Sequence, residues 1–480
     1  MVTRVLEKMH NTPLQIVILG GTGDLANRKL IPALLDLFVK KKLPKKFSII
    51  GLARTEFTTN EYRAFVQKSI TGHKHAHSQK DIELFCKHIQ YVIGSFSDAS
   101  AFTDIKATLA TFDERVGMCT NKIYYLAIPP VHYETVFGML HKHKMHLVCD
   151  PKLGWARVLV EKPFGSNFDT ARKLDKRLGS LFMEEQIYRI DHYLAKEAAQ
   201  NILSFRFANT LLRGSWNKEH IDKISITMLE KVGLEGRGAF YDEIGALRDV
   251  GQNHLLQLLA LLTMEEPKEF NVKQIHKQRA AILKQLKPHT KKSIKAGFLR
   301  AQYSSYKNIK GVAKKSATET FFELHTELND PAWKGVPILL KAGKGLSEAK
   351  VEIEIILKNV STGPFLTDSC RALPNCVKLT ISPKQTMQIT LNAKAPGLKY
   401  RLEPRTLVFD CPTADTEVTN SYEKVLLDCI VGDQTLFMTT EEVLSQWKYI
   451  NSVLKYMHTV PLQTYKQGSA GPKHKLFDVI

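Results

Sequence analysis

No stretch of the 480 residues approaches the 18 or so consecutive apolar residues of a membrane span. Residues 1–11 hold Arg4 and Lys8 but no apolar core, so no secretory leader is expected. The seven cysteines, Cys86, Cys119, Cys149, Cys370, Cys376, Cys411 and Cys429, form no Cys-x-x-Cys pair, and their number is odd. That pattern argues against a disulfide framework or a structural zinc site. It predicts reduced thiols in a cytoplasmic chain. Internal repeats and low-complexity tracts are missing as well. The composition is otherwise ordinary, at 44% hydrophobic and 24% charged, which excludes a mostly disordered protein. The length predicts two or three domains at roughly 150 residues each.

Negative charge is also scarce. Lys and Arg number 68 against 48 Asp and Glu, a formal +20. Such a balance points to an anionic partner: nucleic acid, an acidic membrane or a phosphorylated small molecule. Charge alone does not choose among them. Residues 268–315 hold 14 Lys or Arg against Glu269 alone. They read first as a solvated, Lys-rich outer surface and second as a weak anion-attracting patch.

The first third alternates strand and helix patterns. Short apolar runs at 16–19, 47–52, 123–128 and 158–160 are separated by helical spacing, such as Leu30, Leu34, Leu37 and Phe38. This is the βαβ signature of a parallel sheet with helices on both faces. Further on, a helical region at 195–208 precedes a strand at 224–229 and a long apolar helix at 244–262. Strand patterns follow at 319–328, 336–341, 351–357, 377–381, 387–393 and 406–409. Strands joined by turns predict a mainly antiparallel sheet. Helices at 421–430 and 441–457 close the chain. The expected fold class is α/β plus α+β: a Rossmann-like, doubly wound domain at 1–190, then a domain at 191–480 whose large antiparallel sheet is covered by helices.

Three segments carry chemistry. The first strand runs into Gly20-Gly21-Thr22-Gly23-Asp24-Leu25. Glycines there let backbone approach a pyrophosphate at a helix N-terminus. A tight βα turn is an equal reading of that motif alone. The second strand ends in Arg54-Thr55, with no acid before Glu56. A ribose-binding carboxylate is missing and an arginine stands ready for a 2′-phosphate, which favours NADP. Next, His192, Tyr193 and Lys196 converge at an apparent helix start, a credible phosphate-ester site. Finally, Arg248-Asp249-Val250-Gly251-Gln252-Asn253-His254 is dense with polar groups inside the most apolar helix. Such groups are costly there unless they line a site. A histidine oriented by a carboxylate can take a hydroxyl proton as hydride leaves.

Together these motifs resemble the glucose-6-phosphate dehydrogenase family. The resemblance spans nearly the whole chain. It rests on the glycine turn, Ala127-Ile128-Pro129-Pro130, Glu161-Lys162-Pro163-Phe164-Gly165, Arg189-Ile190-Asp191-His192-Tyr193-Leu194, Glu235-Gly236-Arg237-Gly238, the Arg248–His254 segment and Val336-Pro337 through Lys341 to Gly343-Lys344. It implies oxidation of D-glucose 6-phosphate at the anomeric carbon to 6-phospho-D-glucono-1,5-lactone. Hydride passes to NADP, in the first step of the oxidative pentose phosphate pathway.

The resemblance also implies roles. His254 matches the base, and Asp191 the carboxylate that steadies it. His192, Tyr193 and Lys196 match binders of the sugar phosphate. Glu230, Asp249 and Lys344 match contacts to sugar hydroxyls, and Lys162 reaches both substrate and cofactor. Gly20, Thr22, Gly23, Asp24 and Leu25 match the dinucleotide turn. Arg54 and Thr55 match the 2′-phosphate site, and Tyr133 lines the cofactor cleft. A homodimer or homotetramer is implied, with no metal and no nucleic-acid or membrane partner.

Two positions depart from the pattern: Ala195 stands where many members have glycine, and Ala349 where some have arginine. The aromatic C-terminal extension that holds a second NADP in larger members has no counterpart, so no second NADP site is expected. Two rival readings compete with this one, a nucleic-acid-binding protein on an inherited fold and a related sugar dehydrogenase. The intact Asp191, His192, Lys196, Asp249 and His254 set argues against the first. The His192-Tyr193-x-x-Lys196 pattern argues against the second. The clusters His73-Lys74-His75-Ala76-His77 and His141-Lys142-His143 lack partners at ligand spacing and read as solvated.

Overall fold

The computed structural model describes residues 12–71, 77–148, 154–234, 236–360, 372–410 and 420–473. They fall into two compact units. The first comprises Met1–Gly165, Asp169–Ala195 and Thr419–Thr440, and the second Ser166–Phe168, Lys196–Val418 and Glu441–Ile480.

In the first unit β1 (Leu14–Leu19), β2 (Phe47–Ala53), β3 (Ile89–Ile93), β4 (Asn121–Leu126), β5 (Ala156–Val160) and β6 (Ile187–Ile190) form a parallel sheet ordered 6-5-4-1-2-3. All six residues of β1 and all seven of β2 are buried. That is why they read as continuous apolar runs rather than alternating ones. The order reverses at β1, between β4 and β2. In such sheets ligands sit beyond the carboxyl ends of the strands at that switch.

The second unit holds a nine-stranded sheet. Its strands are β7 (Ile221–Leu229), β8 (Phe298–Tyr303), β9 (Phe321–Thr326), β10 (Ile338–Gly343), β11 (Lys350–Leu357), β12 (Cys376–Ser382), β13 (Thr386–Lys394) and β14 (Leu402–Asp410), with β16 (Leu462–Tyr465) at one edge. Most pairs are antiparallel, but β7 pairs with β10 and β8 with β16 in parallel. β11 and β12 alternate buried and half-buried residues, the mark of a sheet with one covered face. The expected fold class is what the chain adopts.

Several expectations need correction. A single cut after residue 190 does not describe the compact units. Residues 419–440 join the first unit, where the strand β15 (Phe437–Met438) pairs antiparallel with β6. The physical tie is Arg189. Its guanidinium is almost fully buried, and it bonds Asp175 at 2.6 Å, Glu184 at 2.8 Å and the Thr440 hydroxyl at 2.8 Å. The long apolar helix is two pieces, a π-helix at Leu247–Leu255 and an α-helix at Leu256–Thr263. The basic segment is not wholly solvated. Arg279 is fully buried against Glu442 at 2.7 Å, Lys284 pairs with Glu441, and Lys287 pairs with Glu327 at 2.8 Å.

The cysteines are not all reduced either. Cys86, Cys376 and Cys429 are free, but Cys119 is disulfide-bonded. Pairing depends on Cα separation in space, which sequence spacing does not reveal. Cys149, Cys370 and Cys411 lie outside the described residues, as do His73 to Ala76 and Glu235. Among the described residues no helix is long and apolar enough to cross a membrane. Nor is any group of three or more His, Cys, Asp or Glu arranged to hold a metal ion.

Candidate active site

The glycine turn leaves the carboxyl end of β1. Gly20 has φ +95°, and a Cβ there would lie 2.5 Å from the Ala127 carbonyl oxygen. A Cβ on Gly21 would meet the Tyr62 hydroxyl at 2.8 Å and Gly51 Cα at 2.9 Å. Only glycine fits either place, so the turn is held close to its neighbouring strands. The Tyr62 hydroxyl donates to the Gly21 carbonyl at 2.8 Å. The Gly23 N–H bonds the Gly20 carbonyl at 2.9 Å, and the Asn27 side chain donates to the Gly23 carbonyl at 2.8 Å. The helix behind the turn opens in π geometry at Ala26–Leu30, a distortion frequent at functional sites.

Arg54 and Thr55 follow the end of β2 and are exposed. The Thr55 hydroxyl lies 3.4 Å from that of Thr22, so the structure joins the two expected parts of the dinucleotide site. The Tyr91 hydroxyl, 2.7 Å from the Thr55 carbonyl, fixes this turn. Asp24 is exposed and pairs with Arg28 at 3.4 Å, and Leu25 packs partly buried against the core. These residues fit a dinucleotide: a close-packed glycine turn, a helix start and an exposed arginine with no carboxylate bonded to it among the described residues.

The phosphate-site residues stand at a helix start. Asp191 to Lys196 form a turn after β6, not a helix, and the helix begins at Glu197 with Lys196 as its N-cap. In the first unit the Asp191 carboxylate accepts from the Tyr193 N–H at 2.9 Å. The His192 ring lies 3.3 Å from both oxygens of Glu161 and packs on Tyr422 at 4.1 Å between centroids. Burial alone would push the Glu161 carboxyl up. His192, the Tyr125 hydroxyl at 2.6 Å and Lys162 outweigh it and hold it below the usual carboxylate range. Glu161 is thus an ionised, buried anchor for His192. The other ring nitrogen, His192 Nδ1, is buried without a hydrogen-bond partner among the described residues. Tyr133 is buried and donates to the Glu161 carbonyl at 3.0 Å, so it braces the Glu161-Lys162 turn.

In the second unit burial lowers the pKa of the Lys196 ammonium. The parallel pairing of β7 with β10 aligns Leu229 with Gly343, so Glu230 and Lys344 leave the sheet side by side. The Lys344 ammonium bonds Glu230 at 2.7 Å and Asp249 at 3.1 Å. Burial disfavours its charge, but Asp249 and Glu230 prevail and raise its pKa above the ordinary lysine value. Asp249 and His254 both belong to the π-helix, five residues apart, which is its hydrogen-bonding period. The Asn253 side chain ties this turn by donating to the Asp249 carbonyl at 3.1 Å and accepting from the His254 N–H at 2.6 Å. His254 is buried.

Comparison with known proteins decides the family. The family model of the glucose-6-phosphate dehydrogenase NAD binding domain matches residues 17–201, and that of the C-terminal domain matches residues 203–477. The chain belongs to the glucose-6-phosphate dehydrogenase family. It is 35% identical to the glucose-6-phosphate 1-dehydrogenase of Chlamydia muridarum, over 96% of this chain and 94% of that one. It is 36% identical to that of Emericella nidulans, over 95% and 89%. A solved glucose-6-phosphate dehydrogenase in complex with its substrate glucose 6-phosphate superposes with a TM-score of 0.88 at 31% identity, over 97% and 96% of the two chains. The enzyme of Mycobacterium avium gives 0.83 at 31%, over 96% of each chain. A levoglucosan dehydrogenase at 9% identity and a TM-score of 0.53 shares the fold alone.

Two buried carboxylates have no role in the motifs above. Glu161 lies in the quoted Glu-Lys-Pro motif, where only the lysine was given a task. Glu319 is buried beneath the π-helix and accepts the Leu247 N–H at 3.0 Å. Burial holds its carboxyl above the usual range. Only its neighbours in space mark it.

Proposed function

We propose that this protein oxidises D-glucose 6-phosphate at the anomeric carbon to 6-phospho-D-glucono-1,5-lactone, with hydride passing to NADP. The observation that carries the reading is the Glu230–Lys344–Asp249 cluster, beside the π-helix that holds His254. Two carboxylates and one ammonium, held together by their own ion pairs, offer acceptors and a donor to neighbouring sugar hydroxyls. Such preorganisation lowers the entropic cost of fixing the reacting carbon.

His254 takes the proton of the anomeric hydroxyl, and Asp191 holds it in the orientation and tautomer that reaction needs. His192, Tyr193 and Lys196 bind the phosphate. Glu161 supports His192 from behind through its two 3.3 Å contacts. Gly20, Thr22, Gly23, Asp24 and Leu25 hold the dinucleotide, Lys162 bridges dinucleotide and sugar, and Arg54 with Thr55 receives the 2′-phosphate. When bound, the nicotinamide supplies the hydride acceptor.

A homodimer or homotetramer and a cytoplasmic setting belong to the same proposal. The free thiols of Cys86, Cys376 and Cys429 fit that setting, and the disulfide at Cys119 counts against it.

Steady-state assays with NADP and NAD against glucose 6-phosphate, free glucose and other hexose phosphates test the reading. Turnover should be fastest with glucose 6-phosphate and NADP. Equal rates with free glucose would remove the phosphate site, and no reduction of either nucleotide would remove the activity.

A further inference from the structure

We infer that the first unit carries a second anion site, for a small molecule bearing a chain of phosphate groups. A cavity of about 650 Å³ lies at the amino ends of β2 and β3. The glycine turn follows the carboxyl end of β1, so the cavity is at the opposite end of the same sheet.

Among the described residues five cations line the cavity, Lys45, Lys46, Arg63, Lys87 and Arg115, together with His88 and no carboxylate. Carboxylates on the same helices are turned to other work or lie outside the lining. Glu61 accepts the Thr58 N–H at 2.7 Å, Asp113 pairs with Lys122 at 2.9 Å, and Glu114 is exposed but not part of the wall. The cations are placed rather than scattered. Arg63 is braced by bonds to the Ile89 carbonyl at 2.9 Å and the Lys87 carbonyl at 3.2 Å. Arg115 lies 4.9 Å over the ring of Phe112. His88 stacks on buried Phe47 at 4.1 Å, with Nδ1 3.1 Å from the Phe47 carbonyl.

Five like charges around one concavity repel one another unless an anion sits among them. Burial, with Arg115 adding to it, holds the His88 pKa below the ordinary histidine value, so the imidazole is kept from adding a sixth charge. The helix Ala99–Val116 points its carboxyl end at the wall, which disfavours an anion, but the Gly117 N–H caps the Asp113 carbonyl there at 2.9 Å. The cations outnumber that partial charge.

One phosphate group carries at most two charges, too few to match five cations. A chain of two or three phosphates matches them, and the volume falls within the roughly 300–1,000 Å³ usual for small-molecule sites. The source of such a chain is either a free polyphosphate or a nucleoside triphosphate.

Calorimetric titration with inorganic tripolyphosphate and, separately, with ATP tests the site. Glucose 6-phosphate and NADPH, a pair that cannot react, are kept saturating so that the sugar-phosphate and dinucleotide sites are occupied. The expected result is one equivalent of tripolyphosphate per chain, bound at least tenfold more weakly by the double variant Lys46→Glu, Lys87→Glu, with kcat and KM unchanged. All three lysines of the wall are exposed, and a wild-type Tm verifies that the variant is folded. If the reversal unfolds the chain, Lys46→Gln with Lys87→Gln carries the same expectation with a smaller loss. ATP binding as tightly as tripolyphosphate assigns recognition to the phosphate chain, and tighter ATP binding adds the nucleoside to it. No binding of either probe, equal binding by the folded variant, or binding seen only without NADPH and glucose 6-phosphate overturns the inference.

Discussion

Replacing Lys344 with Met should cost the second unit about 3 kcal/mol and weaken sugar-phosphate binding with it. The ammonium sits 2.7 Å from Glu230 and 3.1 Å from Asp249. At an effective dielectric of about 20 those separations correspond to gross attractions of roughly 6 and 5 kcal/mol. Most of that offsets the cost of taking the lysine out of water, since its side chain is only 6% exposed. Removing one member of a buried pair usually costs about 3–5 kcal/mol, because the remaining charge is stranded. Glu230 and Asp249 keep 36% and 26% exposure, so the low end applies. The lysine pKa is raised in the folded state. Its contribution is therefore complete below the ordinary lysine pKa and is lost as pH rises through the folded value. Urea unfolding followed by tryptophan fluorescence at neutral pH reads the loss, and Trp216, Trp333 and Trp447 lie in this unit. Adding Asp249→Asn to Lys344→Met should recover part of the stability. A Lys344→Met protein with the wild-type urea midpoint and sugar-phosphate affinity would refute the reasoning.

His254→Asn should lower kcat by about two to four orders of magnitude, the usual size of a lost general base, while both ligands still bind; a loss under tenfold would assign the proton elsewhere. Arg54→Ala should weaken NADP by more than NAD, and an unchanged ratio of the two KM values would remove Arg54 from the 2′-phosphate site. His289 is pushed down to about 4 by burial, the Lys287 charge adding to it against Glu327. Stability from its neutral ring, bonded to Tyr449 at 2.9 Å, should be full above about pH 6.5 and fade as pH falls toward 4. Tm measured across that range should fall less steeply in His289→Gln than in wild type.

The buried parallel strands were legible because burial on both faces leaves an unbroken apolar run, as in Ile16 to Leu19. β6 was not read as a strand. It has four residues, one of them Arg189, and its burial depends on Asp175, Glu184 and Thr440 from distant parts of the chain. The same dependence hid the membership of residues 419–440 in the first unit. For the candidate site, the chemistry-bearing residue types were visible at their spacings, and the geometry beneath them was not. His192 was legible as a residue before a helix start, but the contact that holds its ring, with Glu161 31 residues earlier, was not. The π form of Leu247–Leu255 leaves no periodic mark in nine residues. The Glu230–Lys344 contact follows from strand register, which needs both β7 and β10 in place.

The most direct test follows the hydrogen itself. Glucose 6-phosphate deuterated at the anomeric carbon, incubated with excess protein and NADP, should yield one equivalent of lactone. Mass spectrometry should find the deuterium in the reduced nicotinamide. Deuterium released to water, or left on the sugar while NADP is reduced, would contradict hydride transfer from that carbon.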